Sequence, residues 1–257
     1  MQLEGILVHK AIHKERDLIG TLLLRDGTLV NLYFYGGRGG GKSQKGSILE
    51  LGFMLKVKLG SRIKKNQDIQ IASEWNLIWN SENIRSNHKA FYLSTFFFEF
   101  IKKVAPAKDL EYEDNSEEGL FRVLSNALFF MDKSLVENVF HFETHMMSFL
   151  AKMIYELGIS PDIDHCSFCQ VKLHESQFIL NVEQGGFACV NCTDNFHKAE
   201  IQASTLVHRS LHYFKQTPYK ELAAQEYLEK AQVHSLFNYI CFHYGWEKSQ
   251  FISYSLL

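Results

Sequence analysis

The chain has 257 residues, enough for one large domain or two ordinary ones, and its 46% hydrophobic content can fill a core, so a wholly disordered protein is excluded. No apolar run approaches the ~20 residues of a membrane span; the richest, 91–104, ends in Lys102 and Lys103, so a soluble, intracellular protein is expected. The net charge of −2 hides an asymmetry: residues 1–65 carry 12 basic against 5 acidic side chains, a net of +7, leaving 15 against 24, a net of −9, in the rest.

Segments 3–12, 18–25, 28–35, 47–59 and 67–78 have the two-residue period of strands. The fourth is the clearest, because Leu49, Leu51, Phe53, Leu55, Val57 and Leu59 alternate without a break. Asp26-Gly27 is a hairpin signal between the second and third. Five consecutive strands with a basic face predict a small antiparallel barrel of the OB type over residues 1–80, a fold that commonly binds oligonucleotides, with an SH3-like barrel open on the pattern alone.

The basic face is concentrated in residues 36–65, where Arg38, Lys42, Lys45, Lys56, Lys58, Arg62, Lys64 and Lys65 accompany one acid, Glu50. Such a cluster is the footprint of a polyanion, weighed against an ordinary solvated face. Tyr33, Phe34 and Tyr35 run straight into it, so outward-facing members, Tyr35 among them, are candidates to stack on unpaired bases.

Residues 36–43, Gly-Gly-Arg-Gly-Gly-Gly-Lys-Ser, satisfy the phosphate-loop pattern and follow a predicted strand. That motif also needs a helix opened by its lysine and serine, whose amides cradle phosphate. Here Gly46 and then the strongest period-2 segment follow, and no apolar run ending in a magnesium-binding aspartate lies downstream. The segment therefore reads as a glycine-rich hairpin loop whose Arg38, Lys42 and Lys45 track a phosphate backbone, with no nucleotide cofactor.

From residue 86 the period turns helical, with helices expected over 87–104, 117–131 and 136–157, and again over 203–215, 220–230 and 232–244, in one helical domain of residues 81–257. The acidic stretch Asp109, Glu111, Glu113, Asp114, Glu117 and Glu118 is read as a solvated loop entering the second of these helices. Phe91, Phe96, Phe97, Phe98 and Phe100 read as core or a partner groove. His141 and His145 lie one helical turn apart, but Glu143 is out of register for a metalloprotease, and Cys241 sits in an apolar helix as an inert thiol. No nucleophile elbow is present, so no catalytic residues are expected.

Between the helical segments stand Cys166-x-x-Cys169 and Cys189-x-x-Cys192, separated by 19 residues. Two knuckles at this spacing suit one tetrahedral Zn²⁺ in a zinc ribbon at about 162–195, with 178–182 as one strand. The alternative of two disulfides is disfavoured, since no signal segment opens the chain and Cys241 would be left over. With four protein ligands the site is closed, a fold staple rather than a catalytic centre.

Several segments together resemble the RecO family of bacterial recombination mediators over essentially the full chain: Glu4-Gly-Ile-Leu-Val with Lys14-Glu15-Arg16-Asp17; Tyr35-Gly-Gly-Arg with Lys42-Ser43 and 46–53; Leu157-Gly-Ile-Ser-Pro161-Asp-Ile-Asp-His-Cys166; Gly185-Gly186-Phe-Ala-Cys189; and Lys248-Ser249-Gln-Phe251. The loop departs from the family in having glycines where basic residues and prolines are usual, and the C-terminal helices match loosely. The resemblance implies an N-terminal OB fold, a helical domain with an embedded zinc site, and no catalysis. It implies binding of single- and double-stranded DNA, annealing without ATP, help in loading RecA, and location in the cytoplasm with the nucleoid. The implied partners are RecR and the C-terminal acidic tail of single-stranded DNA-binding protein, whose pocket belongs on the helical domain. Residue by residue, it assigns Cys166, Cys169, Cys189 and Cys192 to zinc, and Arg38, Lys42 and Lys45 to the basic loop. Two other readings stay in view: a P-loop nucleotide hydrolase with a zinc-stabilised accessory domain, and a zinc-ribbon scaffold that binds only protein.

Overall fold

A computed structural model describes residues 1–38, 46–60, 68–108, 119–173, 177–193, 197–222 and 230–257. Lys42, Lys45, Arg62, Lys64, Lys65 and the acidic stretch 109–118 lie outside the described residues. The chain divides into two compact units, Met1–Asp132 and Lys133–Leu257.

Five strands build the first unit: β1 (Gln2–His13), β2 (Asp17–Leu24), β3 (Leu29–Phe34), β4 (Met54–Leu59) and β5 (Ile69–Trp79). They close in the order β1-β2-β3-β5-β4, with β1 pairing β4 and a single parallel pair between β3 and β5. This is the closed five-stranded barrel of the OB type expected from the sequence, and closure pairs every barrel strand on both sides. Alternation fills the inside: Leu7, Leu22, Leu32, Phe34, Leu55 and Val57 are buried in one cluster. Between β2 and β3, the Leu24 amide donates to Thr28 O at 2.8 Å and Gly27 takes φ +78°, the left-handed conformation that a tight hairpin loop places on glycine.

The clearest predicted strand, 47–59, is corrected by the structure, since it is extended only from Met54 onward. Phe53 N–H donates to Glu50 O at 3.1 Å, closing a turn, and Gly52 sits at φ +83°. Gly52 N–H donates to Leu7 O at 2.8 Å and Leu7 N–H to Phe53 O at 2.9 Å, so the turn still completes the β1 ladder. Leu49 and Phe53 are buried without being in a strand, because they plug the barrel end. Burial on alternate residues is thus satisfied by a turn as well as by a strand.

Helices α1 (Glu82–Ser86), α2 (His88–Val104) and most of α3 (Gly119–Val136) complete this unit. Asn87 caps α2 by accepting from Ala90 N–H at 3.1 Å, and Phe96, Phe97, Phe98 and Phe100 are buried, as a core reading requires. In the second unit α4 (Phe142–Glu156) starts later than the predicted 136–157. Val136 ends α3, Asn138 turns at φ +56°, and only then does a new helix begin. Helices α5 (Lys198–Gln216), α6 (Tyr219–Leu222) and α7 (Lys230–Tyr244) follow the hairpin of β6 (Phe178–Asn181) and β7 (Gly186–Cys189). Leu180 N–H donates to Ser204 Oγ at 2.9 Å, and the Tyr239 hydroxyl donates toward Ile159 O at 2.8 Å and Gly185 O at 3.0 Å, so α5 and α7 hold the hairpin from two sides.

Candidate metal centre and nucleic-acid face

The four sulfurs of Cys166, Cys169, Cys189 and Cys192 lie within 4.8 Å of one another, the group of potential metal ligands found among the described residues. A tetrahedron of Zn–S bonds near 2.3 Å has sulfurs about 3.8 Å apart, so one such ion fits the donor set. Backbone geometry prepares each knuckle. Cys166 N–H donates to Val171 O at 2.9 Å and Gln170 N–H to Cys166 O at 3.0 Å, folding the first pair into a turn that Gln170 completes at φ +59°. The second pair leaves the end of β7 through a 3₁₀ turn, Val190–Cys192.

Amide groups aim at the sulfurs: Cys189 N–H lies 3.3 Å and Phe168 N–H 3.4 Å from Cys166 Sγ. Burial disfavours the Cys166 thiolate, but the amides of Cys169, Cys189 and Phe168 outweigh it and bring the thiol down to about 6. Hydrogen bonds from Cys169 and Cys189 push Cys192 up to about 12, and burial raises Cys189. Crowded metal-free thiols thus compete for protons, whereas a cation would favour all four as thiolates. Cys241 is buried in α7 and takes no part in the cluster.

The two histidines of α4 do not form a second centre. His141 is the residue before the helix, while His145 is buried, bonded through Nε2 to Ser134 Oγ at 2.9 Å and stacked on Phe140 at 5.4 Å. Its Nδ1 has no partner, and burial, with the nearby His141, lowers its pKa to about 4.

The barrel distributes the predicted DNA-binding residues unequally. Tyr33 and Tyr35 both point outward from the end of β3, their rings 4.5 Å apart, with Tyr35 58% exposed. Across the outer face Tyr33 pairs with Ile19 of β2 and with the exposed Ile71 of β5. Asp17 accepts the Tyr33 hydroxyl at 2.6 Å and the Gly36 amide at 2.8 Å; these bonds hold its carboxyl low, and the first pushes the Tyr33 phenol up to about 12. Arg38 N–H donates to Arg16 O at 3.0 Å and Nη1 lies 3.4 Å from Glu15 O, bringing it against the β1–β2 turn.

Lys56 and Lys58 stand elsewhere, on the outside of β4, where Lys56 lies 3.4 Å from Glu4 and Lys58 3.3 Å from Glu74. The sequence groups them in one patch, but Lys58 faces Glu74, and Lys56 shares Glu4 with Arg25, whose Nε lies 2.9 Å from that carboxylate. Conversely, Lys14 and Arg16 of the β1–β2 turn were not among the predicted site residues, although the fold sets Arg16 beside Arg38. A basic turn between two strands was the available signal. Residues 47–53, which follow the glycine-rich segment, contain turns and no helix.

Known proteins are similar to this chain over much of its length. The family described as "Recombination protein O C terminal" matches residues 87–248, more than half of the chain. "DNA repair protein RecO" of Maridesulfovibrio salexigens is 25% identical over 193 residues, covering 75% of this chain and 73% of that protein. Its counterpart in Caldanaerobacter subterraneus subsp. tengcongensis is 25% identical over 226 residues, covering 86% and 83%. That of Desulforamulus reducens is 26% identical over 121 residues, covering 46% of this chain and 44% of the relative.

Proposed function

This chain belongs to the RecO family of DNA repair proteins, and on that premise we propose that it is a non-catalytic mediator of repair and recombination. It binds single- and double-stranded DNA, anneals complementary strands without ATP, and helps load recombinase onto DNA coated with single-stranded DNA-binding protein, together with RecR. The observation that carries this reading is the outer face of β3, where Tyr33 and Tyr35 sit next to Arg38 and the basic β1–β2 turn on a closed barrel. Aromatic rings flanked by cations suit single strands, which stack on rings while their phosphates release counterions. Arg38, Lys42 and Lys45 form the first contact, with Arg62, Lys64 and Lys65 extending it and Lys56 and Lys58 contributing less.

One Zn²⁺ on Cys166, Cys169, Cys189 and Cys192 staples the second unit. That unit recruits RecR and the acidic tail of single-stranded DNA-binding protein, in the cytoplasm at the nucleoid. No helix among the described residues is long and apolar enough to cross a membrane. The test is annealing of complementary strands at two salt concentrations, comparing the wild type with Arg38, Lys42 and Lys45 all changed to alanine. Nucleotide-independent annealing that weakens with salt and in the variant is expected. Magnesium-dependent ATP turnover abolished by Lys42→Ala would replace this reading with nucleotide hydrolysis, and absence of DNA binding at low salt would leave a protein-only scaffold.

A further inference from the structure

At the mouth of the barrel, where Lys10, Ile12 and Leu18 of β1 and β2 face Gly37, Arg38, Gly46 and Glu50, lies a cleft of about 440 Å³. This is within the size range of small-ligand sites, roughly 300–1,000 Å³, and barrel mouths are a common place for them. Its construction is specific. Ile12 pairs with Leu18, and Leu18 with Phe34, so the three share the inward side of the sheet; Leu18 and Phe34 are buried, yet Ile12 is 66% exposed. An inward-facing apolar side chain is therefore left uncovered above a core. Leu49, whose side chain is buried in the core, lines the opposite side, where its carbonyl accepts from Lys10.

The polar lining is equally ordered. Lys10 donates to Leu49 O at 3.2 Å and is ion-paired with Glu50, placing an ammonium and a carboxylate side by side on one wall. Arg38 stands at the rim, its Nη1 on Glu15 O, and a guanidinium has five N–H donors in all. A ligand matching this cleft is flat and apolar on its faces, carries both donors and acceptors on one edge, and has an anion adjoining. An unpaired nucleotide has these properties: its base lies against the exposed Ile12, its hydrogen-bonding edge meets Lys10 and Glu50, and its phosphate meets Arg38.

We infer that this cleft receives one unstacked nucleotide of single-stranded DNA. The inference rests on the DNA-binding reading above and adds to it a pocket that discriminates unpaired from paired strands, because a base within a duplex has no free edge or face to offer. A charged backbone groove alone would accept both.

The test uses the full chain with Ile12→Trp, an exposed position that tolerates the larger side chain, and Ile12→Glu. A single strand is expected to quench the introduced indole, measured as a difference from the wild type. A blunt duplex of the same sequence, even when bound, is expected not to, and neither is deoxyadenosine monophosphate at equal nucleotide concentration. Ile12→Glu is expected to weaken single-strand binding by roughly fivefold or more while leaving duplex affinity within about twofold. Single-strand binding seen by anisotropy with no quenching, equal quenching by the duplex, or unchanged affinity of Ile12→Glu would each overturn the pocket and leave the DNA-binding function standing. Quenching by the free monophosphate as strong as by the strand would reassign the cleft to free nucleotides. Failure of the wild type to bind any DNA at low salt would remove the functional reading and the inference together.

Discussion

The sulfur of Cys169 lies 3.6 Å from that of Cys189, although the two are twenty positions apart in the chain. That distance is far longer than a disulfide bond and close to the edge of a ZnS₄ tetrahedron. It exists because β6 and β7 pair in register, Phe178 opposite Cys189, and because Ser167 N–H donates to Phe187 O at 2.8 Å, bringing the first knuckle onto the second strand.

The first expectation is therefore one tightly held Zn²⁺ per chain. Cys166→Ser, or chelation under denaturing pressure, should remove the ion and several kcal/mol of folding energy, lowering the melting temperature by roughly 10 °C or more. Metal content by mass spectrometry and a thermal melt with and without chelator check this. A Cys166→Ser protein that kept both its metal and its melting temperature would refute it.

His145 supplies a pH dependence. Its imidazole is neutral in the fold down to about pH 4, whereas an unfolded chain takes up the proton near 6.5. Between those values the unfolded state binds more protons, so stability falls as the pH is lowered through this window, on the order of 2 to 3 kcal/mol for this group. Denaturant titrations at pH 7 and 4.5 should show a smaller loss for His145→Phe than for the wild type. Loss of metal in acid affects both proteins alike, so the difference between them isolates the imidazole.

Lys152 of α4 donates to Phe214 O at 2.6 Å and Thr217 O at 2.9 Å, satisfying carbonyls at the C-terminal end of α5, where the helix dipole favours a cation. Lys152→Met keeps the stem and removes the charge. It is expected to cost about 2 kcal/mol, read as a lower melting temperature with DNA affinity unchanged.

On the barrel, Arg38→Ala should reduce the slope of log affinity against log salt by about one. Lys56→Ala and Lys58→Ala should change it by less than about half as much, because Glu4 and Glu74 already face those ammonium groups. Equal effects at all three positions, measured by anisotropy over a salt series, would contradict the division into a compensated β4 side and an exposed β3 end.

Local pattern made much of this legible. Alternation in 3–12, 18–25 and 28–35 marks β1 to β3, Asp26-Gly27 marks the hairpin, and the two Cys-x-x-Cys pairs mark the cluster. The same alternation misled at 47–53, since Leu49 and Phe53 bury themselves from a turn around Gly52. Continuous helical periodicity across 136–157 likewise concealed the break at Asn138, because a left-handed residue leaves little trace when its neighbours on both sides are helical.

By itself the sequence determined most of the strands and helices and marked four cysteines spaced to share one metal ion, because these depend on residue spacing within a few turns of chain. Only tertiary structure decided that Lys56 and Lys58 face carboxylates while Arg38 stands beside Arg16, that β5 inserts in parallel next to β3, and that Ile12 is left uncovered over a cleft. Those outcomes depend on which distant segments pair and in what register, and a one-residue change of register moves every side chain of a strand to the opposite face.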